Sequence, residues 1–193
     1  MRWWITARQA HSLLPAALAT YTLLLLLFQG HTVVLPSPVT SSGSPVLLLL
    51  TAPIPVCAAV LACLESRLPS AEATGVRPVR FLDTSLVLTT TLAALALAAA
   101  AHTLLGIASA LSAGRNTAFL LGLMLCALPL IGRRAALLPP VWVITVAMAG
   151  FEQGRAQAWT VIARETDDPW AASASALSLA IGLILYFFAP RTR

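Results

Sequence analysis

Apolar residues run through the sequence in six long stretches, 13–28, 46–64, 84–110, 118–131, 137–149 and 171–188, with short polar breaks between them. A helix needs about 20 mostly apolar residues to cross a bilayer, so most of these stretches read as transmembrane helices. The fourth and fifth are short, and the third is long enough to tilt or to extend past the hydrocarbon. The pattern predicts an all-α, polytopic membrane protein, with six transmembrane helices forming a single domain over 1–193. The first stretch is expected to be retained as a span, because no convincing small-residue cleavage site follows it.

Composition agrees with this reading, since 59% of residues are hydrophobic and only 10% charged. The mean hydropathy of +0.86 is far above that of a water-soluble domain. Orientation follows from the arginines, because positive charge near helix ends resists translocation. There is no lysine, so arginine alone carries the signal. With both termini cytoplasmic, nine arginines (Arg2, Arg8, Arg67, Arg77, Arg80, Arg133, Arg134, Arg191 and Arg193) fall inside and only Arg115, Arg155 and Arg164 outside. The net charge of +5 is thereby explained by topology, and no nucleic-acid partner is expected.

The polar breaks carry further expectations. The opening residues MRWWITARQAHS combine Trp3 and Trp4 with Arg2 and Arg8. They suit either an interfacial helix along the inner leaflet or an ordinary cationic flank anchored by aromatics. Residues 30–44, rich in proline, serine and glycine, predict an irregular exterior loop. Pro53 and Pro55 fall inside the second apolar stretch, where a kink or local unwinding is expected, either as a simple bend or as a gate. Residues 65–83, ESRLPSAEATGVRPVRFLD, hold three acids and three arginines, and 70–74 can form one or two helical turns between Pro69 and Gly75. Such a charged element suits docking, because charge fixes orientation over little area; the alternative is a solvated connector. Residues 150–168 mix Phe151, Trp159, Val161 and Ile162 with Glu152, Arg155, Arg164 and Glu165, which predicts short amphipathic or re-entrant helices on the outer face.

Chemistry is sparse. His102 sits in the alanine-rich third stretch, and a packing histidine is favoured over a pathway or proton-relay role because no second histidine or acid lies nearby in sequence. Small residues around it predict a helix in the bundle interior or at a dimer seam. Glu165, Asp167 and Asp168 lack the spacing of a calcium loop, and helix capping accounts for two of them, so no metal is expected. Cys57, Cys63 and Cys126 lie within apolar stretches and give no disulfide or metal spacing. No nucleophile–base pairing or phosphate-binding loop is present, so no enzyme is expected and no cofactor in this chain.

With these features in place, the layout resembles the permease subunit of a small bacterial type-2 ABC exporter, whose ATPase is a separate chain. The resemblance rests on the whole topology and on the segment LESRLPSAEATGVRPVR. It implies an interfacial N-terminal helix at 2–12, a coupling helix at 65–80 and re-entrant helices at 150–168. It further implies a multi-pass protein of the bacterial plasma membrane that works as a homodimer or as a heterodimer with a related permease. Membrane lipid surrounds it, and a cytoplasmic nucleotide-binding ATPase binds the ATP. Glu65, Arg67, Glu72, Arg77 and Arg80 are then the expected docking surface. Two other classes remain open: a non-transporting accessory subunit of a larger complex, and a membrane-embedded enzyme using His102, Glu152 and Asp168.

Overall fold

The computed structural model describes residues 9–29, 31–35, 44–66, 79–152, 155–157 and 159–188. Six α-helices dominate it: α1 (Ala10–Leu27), α2 (Pro53–Glu65), α3 (Val79–Leu105), α4 (Ala110–Ile131), α5 (Leu138–Ala149) and α6 (Pro169–Phe188). Two small antiparallel hairpins complete it, β1 (Thr32–Leu35) with β2 (Ser44–Leu47) and β3 (Phe151–Glu152) with β4 (Arg155–Ala156).

Among the described residues, five helical stretches are long and apolar enough to cross a membrane: α1, Leu48–Glu65, α3, Ala110–Ala149 and α6. Leucines and isoleucines stand outward along them, among them Leu92 and Leu104 on α3, Ile144 on α5, and Leu177, Ile181 and Ile184 on α6. Water would not tolerate so much exposed apolar surface, whereas hydrocarbon solvates it. The protein is membrane-embedded.

The stretch Ala110–Ala149 holds both the fourth and the fifth apolar segments of the sequence. It is not one rod. Gly132, with φ +56°, ends α4, a 3-10 turn over Gly132–Leu137 follows, and α5 comes back beside α4, with the Trp142 ring 5.8 Å from that of Phe119. At 12 residues α5 is about 18 Å long, less than the ~30 Å of the hydrocarbon layer.

Contacts between distant residues set the order of the two bundle ends. At one end Ala10 of α1, Cys63 of α2 and Leu86 of α3 form a small apolar cluster. There, too, Glu65 at the end of α2 pairs with Arg133 in the α4–α5 turn, and Arg80 of α3 donates to the carbonyl of Phe187 near the end of α6. We call this the basic end. The opposite end gathers the 3-10 segment Leu48–Thr51, the α3–α4 turn and the segment from α5 to α6. Successive helices therefore run in alternating directions.

Several boundaries differ from the sequence reading. Helix α3 ends at Leu105, not at 110, because Gly106 adopts φ +68° and lets the amides of Gly106 and Ile107 bond back to His102 and Ala101. Pro53 and Pro55 do not kink a helix interior: they occupy the first turn of α2, where a missing N–H costs nothing. The apolar residues before them form the 3-10 segment, so the unwinding lies at the start of the span. The loop expected to be irregular holds the β1–β2 pairing at its ends, with 36–43 outside the described residues. In place of re-entrant helices, the described residues of 150–168 hold the β3–β4 hairpin and a 3-10 turn over Val161–Ala163. Residues 1–8 of the expected interfacial helix, and 67–78 of the coupling segment, lie outside the described residues.

Helix α4 is the axis of the bundle. Residues 113–122 are buried without interruption, enclosed by α2, α3, α5 and α6. The alanine-rich helix α3 packs on it, with Ala98 and Leu95 against Gly114, while Leu92 and Leu104 of the same helix are exposed. Helix α6 comes closer still. A Cβ on Gly122 would lie 2.3 Å from the Ser178 carbonyl carbon, and one on Gly182 would lie 2.6 Å from the Gly122 oxygen. The Ser178 hydroxyl donates across this seam to Phe119 O at 3.1 Å. Between helices in lipid, such backbone approach provides the packing that the hydrophobic effect cannot. Gly122→Ala is expected to separate α4 from α6 and to cost about 1–3 kcal/mol, read as a lower unfolding midpoint in detergent; an unchanged midpoint would mean that the seam is not close-packed.

Candidate functional site

A set of buried polar side chains gathers where α5 connects to α6. Arg115 and Asn116 lie one turn into α4, and both are buried. The Arg115 guanidinium donates to four backbone carbonyls of the facing segment: Glu165 at 2.7 Å, Arg164 at 2.9 Å, Val161 at 3.3 Å and Thr166 at 3.5 Å. The Asn116 amide donates to Ile162 O at 2.8 Å. This explains why the backbone over 161–166 can remain irregular against an apolar bundle: its carbonyls, which hydrocarbon cannot satisfy, turn inward onto donors from α4.

The charge is also managed locally. Asp168 is the carboxylate whose field acts on Arg115, and its Oδ2 lies 2.5 Å from Nη1 of Arg164. Its other oxygen accepts from the Trp170 amide at 2.9 Å, so Asp168 also caps the start of α6, where the helix dipole favours an anion. The hydrogen bond from Arg164, followed by those from the α6 amides, holds the Asp168 carboxyl below its ordinary range. The capping role expected for this acidic group is thus observed for Asp168. Among the described residues, no three His, Cys, Asp or Glu side chains come together as a metal site.

Between this segment and the start of α2 lies a half-open cleft of about 80 Å³. Leu49, Leu50, Phe151, Ile162 and Ala163 form its apolar walls, and Ser112, Asn116 and Arg164 contribute polar groups. Asn116 is only 2% exposed, yet its Oδ1 accepts no hydrogen bond among the described residues, and neither does Nε of Arg164 donate one. The Ser112 hydroxyl is used, donating to Ser109 O at 2.7 Å.

The residues expected to dock an ATPase, and His102, fall elsewhere. Glu65 and Arg80 sit at the basic end in the contacts already described, and Arg67, Glu72 and Arg77 lie outside the described residues. His102 stands in the last turn of α3 with Nδ1 3.3 Å from Ile107 O, a contact that closes the α3–α4 turn. Sequence reasoning placed the fourth span at 118–131 and treated Arg115 only as an exterior charge. In the structure the helix begins eight residues earlier, at Ala110, and buries Arg115. A signal was present in the triplet Arg115–Asn116–Thr117 abutting an apolar run, since three polar residues there need partners.

No family model, curated protein or solved structure matches this chain. Its chemistry has to be read from its own geometry. Arg115→Met is expected to leave the carbonyls of Val161, Arg164, Glu165 and Thr166 without their donor, at a cost of at least about 2 kcal/mol. Limited proteolysis in detergent should then cut within 157–166 much faster than in the parent; equal cutting rates would show that the segment is held by other contacts.

Proposed function

We propose that the chain is the membrane-spanning permease subunit of a bacterial ATP-driven exporter, powered by a separate cytoplasmic ATPase that docks on residues 65–80. In this reading both termini and the basic end face the cytoplasm. Helix α5, extended by the Gly132–Leu137 turn, serves as a fifth crossing of six, and the chain lies in the plasma membrane. The observation that carries the reading is how the two ends of the charged loop are tied. Glu65 engages Arg133 of the α4–α5 turn, and Arg80 reaches the Phe187 carbonyl of α6. A push on the loop is thereby delivered to α2, α3, α6 and the end of α4 together.

These ties set register more than stability, because Arg133 is 83% exposed and such pairs contribute at most about 1 kcal/mol. With Glu65 and Arg80 engaged within the bundle, Arg67, Glu72 and Arg77 are the residues left to meet the ATPase. ATP binds on that partner. The chain's own interior favours a pathway between two subunits, since the central helix is packed on all sides. The same packing also suits a second reading, a non-transporting accessory subunit beside a larger permease.

Purification from native membranes in mild detergent tests the proposal. A stoichiometric nucleotide-binding ATPase is expected to accompany the chain, and Glu72→Ala or Arg77→Ala should lower its recovery and uncouple its ATP hydrolysis from transport. Recovery of the chain alone, or only with another membrane protein, would contradict the exporter reading.

A further inference from the structure

The outer face of the Gly132–Leu137 turn and α5 carries a cation at the foot of an apolar strip. Residues three apart are eclipsed in a 3-10 turn, so Arg134 and Leu137 stand on one side of it. Val141 follows Leu137 by four positions and Ile144 follows Val141 by three, which keeps them on one helix face. Burial agrees with this placement: Arg134 is exposed, and Leu137, Val141 and Ile144 are each more than half exposed. From Arg134 to Ile144 the strip rises about 16 Å, close to half of the ~30 Å hydrocarbon layer. It covers the depth of one leaflet, with the guanidinium at the level of the headgroups.

Charge narrows the occupant. Arg133 pairs with Glu65 and Arg80 donates to the Phe187 carbonyl, whereas Arg134 makes no hydrogen bond or ion pair among the described residues. In the segments attached to this end, nine arginines stand against three acids, Glu65, Glu72 and Asp83. Such an excess attracts an anion and repels the ammonium of a zwitterionic headgroup. A phosphodiester on Arg134 supplies the negative charge that no carboxylate brings there, and the guanidinium fork matches two of its oxygens. A water-soluble partner could meet Arg134 but not a strip that lies inside the hydrocarbon. A second copy docked through the strip about a twofold axis along the membrane normal would set two Arg134 side chains at one level, where they repel.

We propose that this strip binds an anionic glycerophospholipid of the leaflet at the basic end, its phosphate on Arg134 and one acyl chain along Leu137, Val141 and Ile144. The site depends neither on an ATPase nor on which side of the membrane this end faces.

The test is native mass spectrometry of the full chain, released from mild detergent after incubation with equimolar dioleoylphosphatidylglycerol and dioleoylphosphatidylcholine, which share their acyl chains. The chain carrying one lipid is expected to hold the anionic one about fivefold more often. Arg134→Gln should bring that ratio close to one, while Arg155→Gln, which removes the same charge from the β3–β4 hairpin, should leave it unchanged. Leu137→Ser with Val141→Ser, which keeps the charge, should instead lower the lipid retained per chain. Val141→Cys, in an otherwise cysteine-free chain oxidised in its membrane, should give no disulfide-linked dimer. A ratio near one in the parent, a ratio that survives Arg134→Gln or falls equally in Arg155→Gln, or retention unchanged by the paired serine substitutions would overturn the proposal. A dimer linked through position 141 would overturn it as well and give the strip to a second copy.

Discussion

A buried arginine and a row of backbone carbonyls each solve the other's problem, and the architecture of the bundle follows from that exchange. The chain must pass from α5 to α6 through a segment too polar to be a helix in lipid, so the carbonyls of 161–166 need donors. Helix α4, enclosed on every side, could not carry a guanidinium unless acceptors met it. With Arg115 and Asn116 seated in the segment, Asp168 falls where it can cap α6 and balance Arg164. Helix α6 is thereby started at the right height to lay Gly182 against Gly122.

Helix α4 consequently joins two ends with different characters. At one, Arg115 and Asn116 organise a closed polar layer and the small cleft. At the other, Gly132 turns the chain into Arg133, which meets Glu65 at the root of the charged loop. Close packing over residues 113–122 makes this part of the helix stiff. In the proposed exporter subunit, a displacement imposed on the cytoplasmic loop therefore travels as a rigid shift of α4 and reaches the exterior layer undiminished.

Much of this fold was legible in the sequence, because lipid imposes long apolar runs and the arginine bias marks their ends. The apolar stretches and the capping by Asp168 followed from composition and position. What escaped detection depended on pairing between residues some 50 apart. Arg115 reads as a topogenic charge until the carbonyls of 161–166 are known to face it. Residues 150–168 looked helical because aromatic and charged residues interleave there, yet donors supplied by α4 remove the need for the backbone to satisfy itself as a helix. Pro53 and Pro55 seemed to interrupt a span because the apolar run continues upstream of them, and nothing in that run reports the change from 3-10 to α geometry.

The orientation of the two ends supports every functional statement, and it can be measured directly. In a cysteine-free background, Asp167→Cys in the segment before α6 and Arg134→Cys in the α4–α5 turn would be challenged with a membrane-impermeant maleimide in intact cells. Labelling of position 167 from outside, with position 134 labelled only after permeabilisation, is the expected result. Labelling of both positions from outside, or of 134 alone, would invert or abolish the assignment of the basic end to the cytoplasm and with it the place for an ATPase to dock.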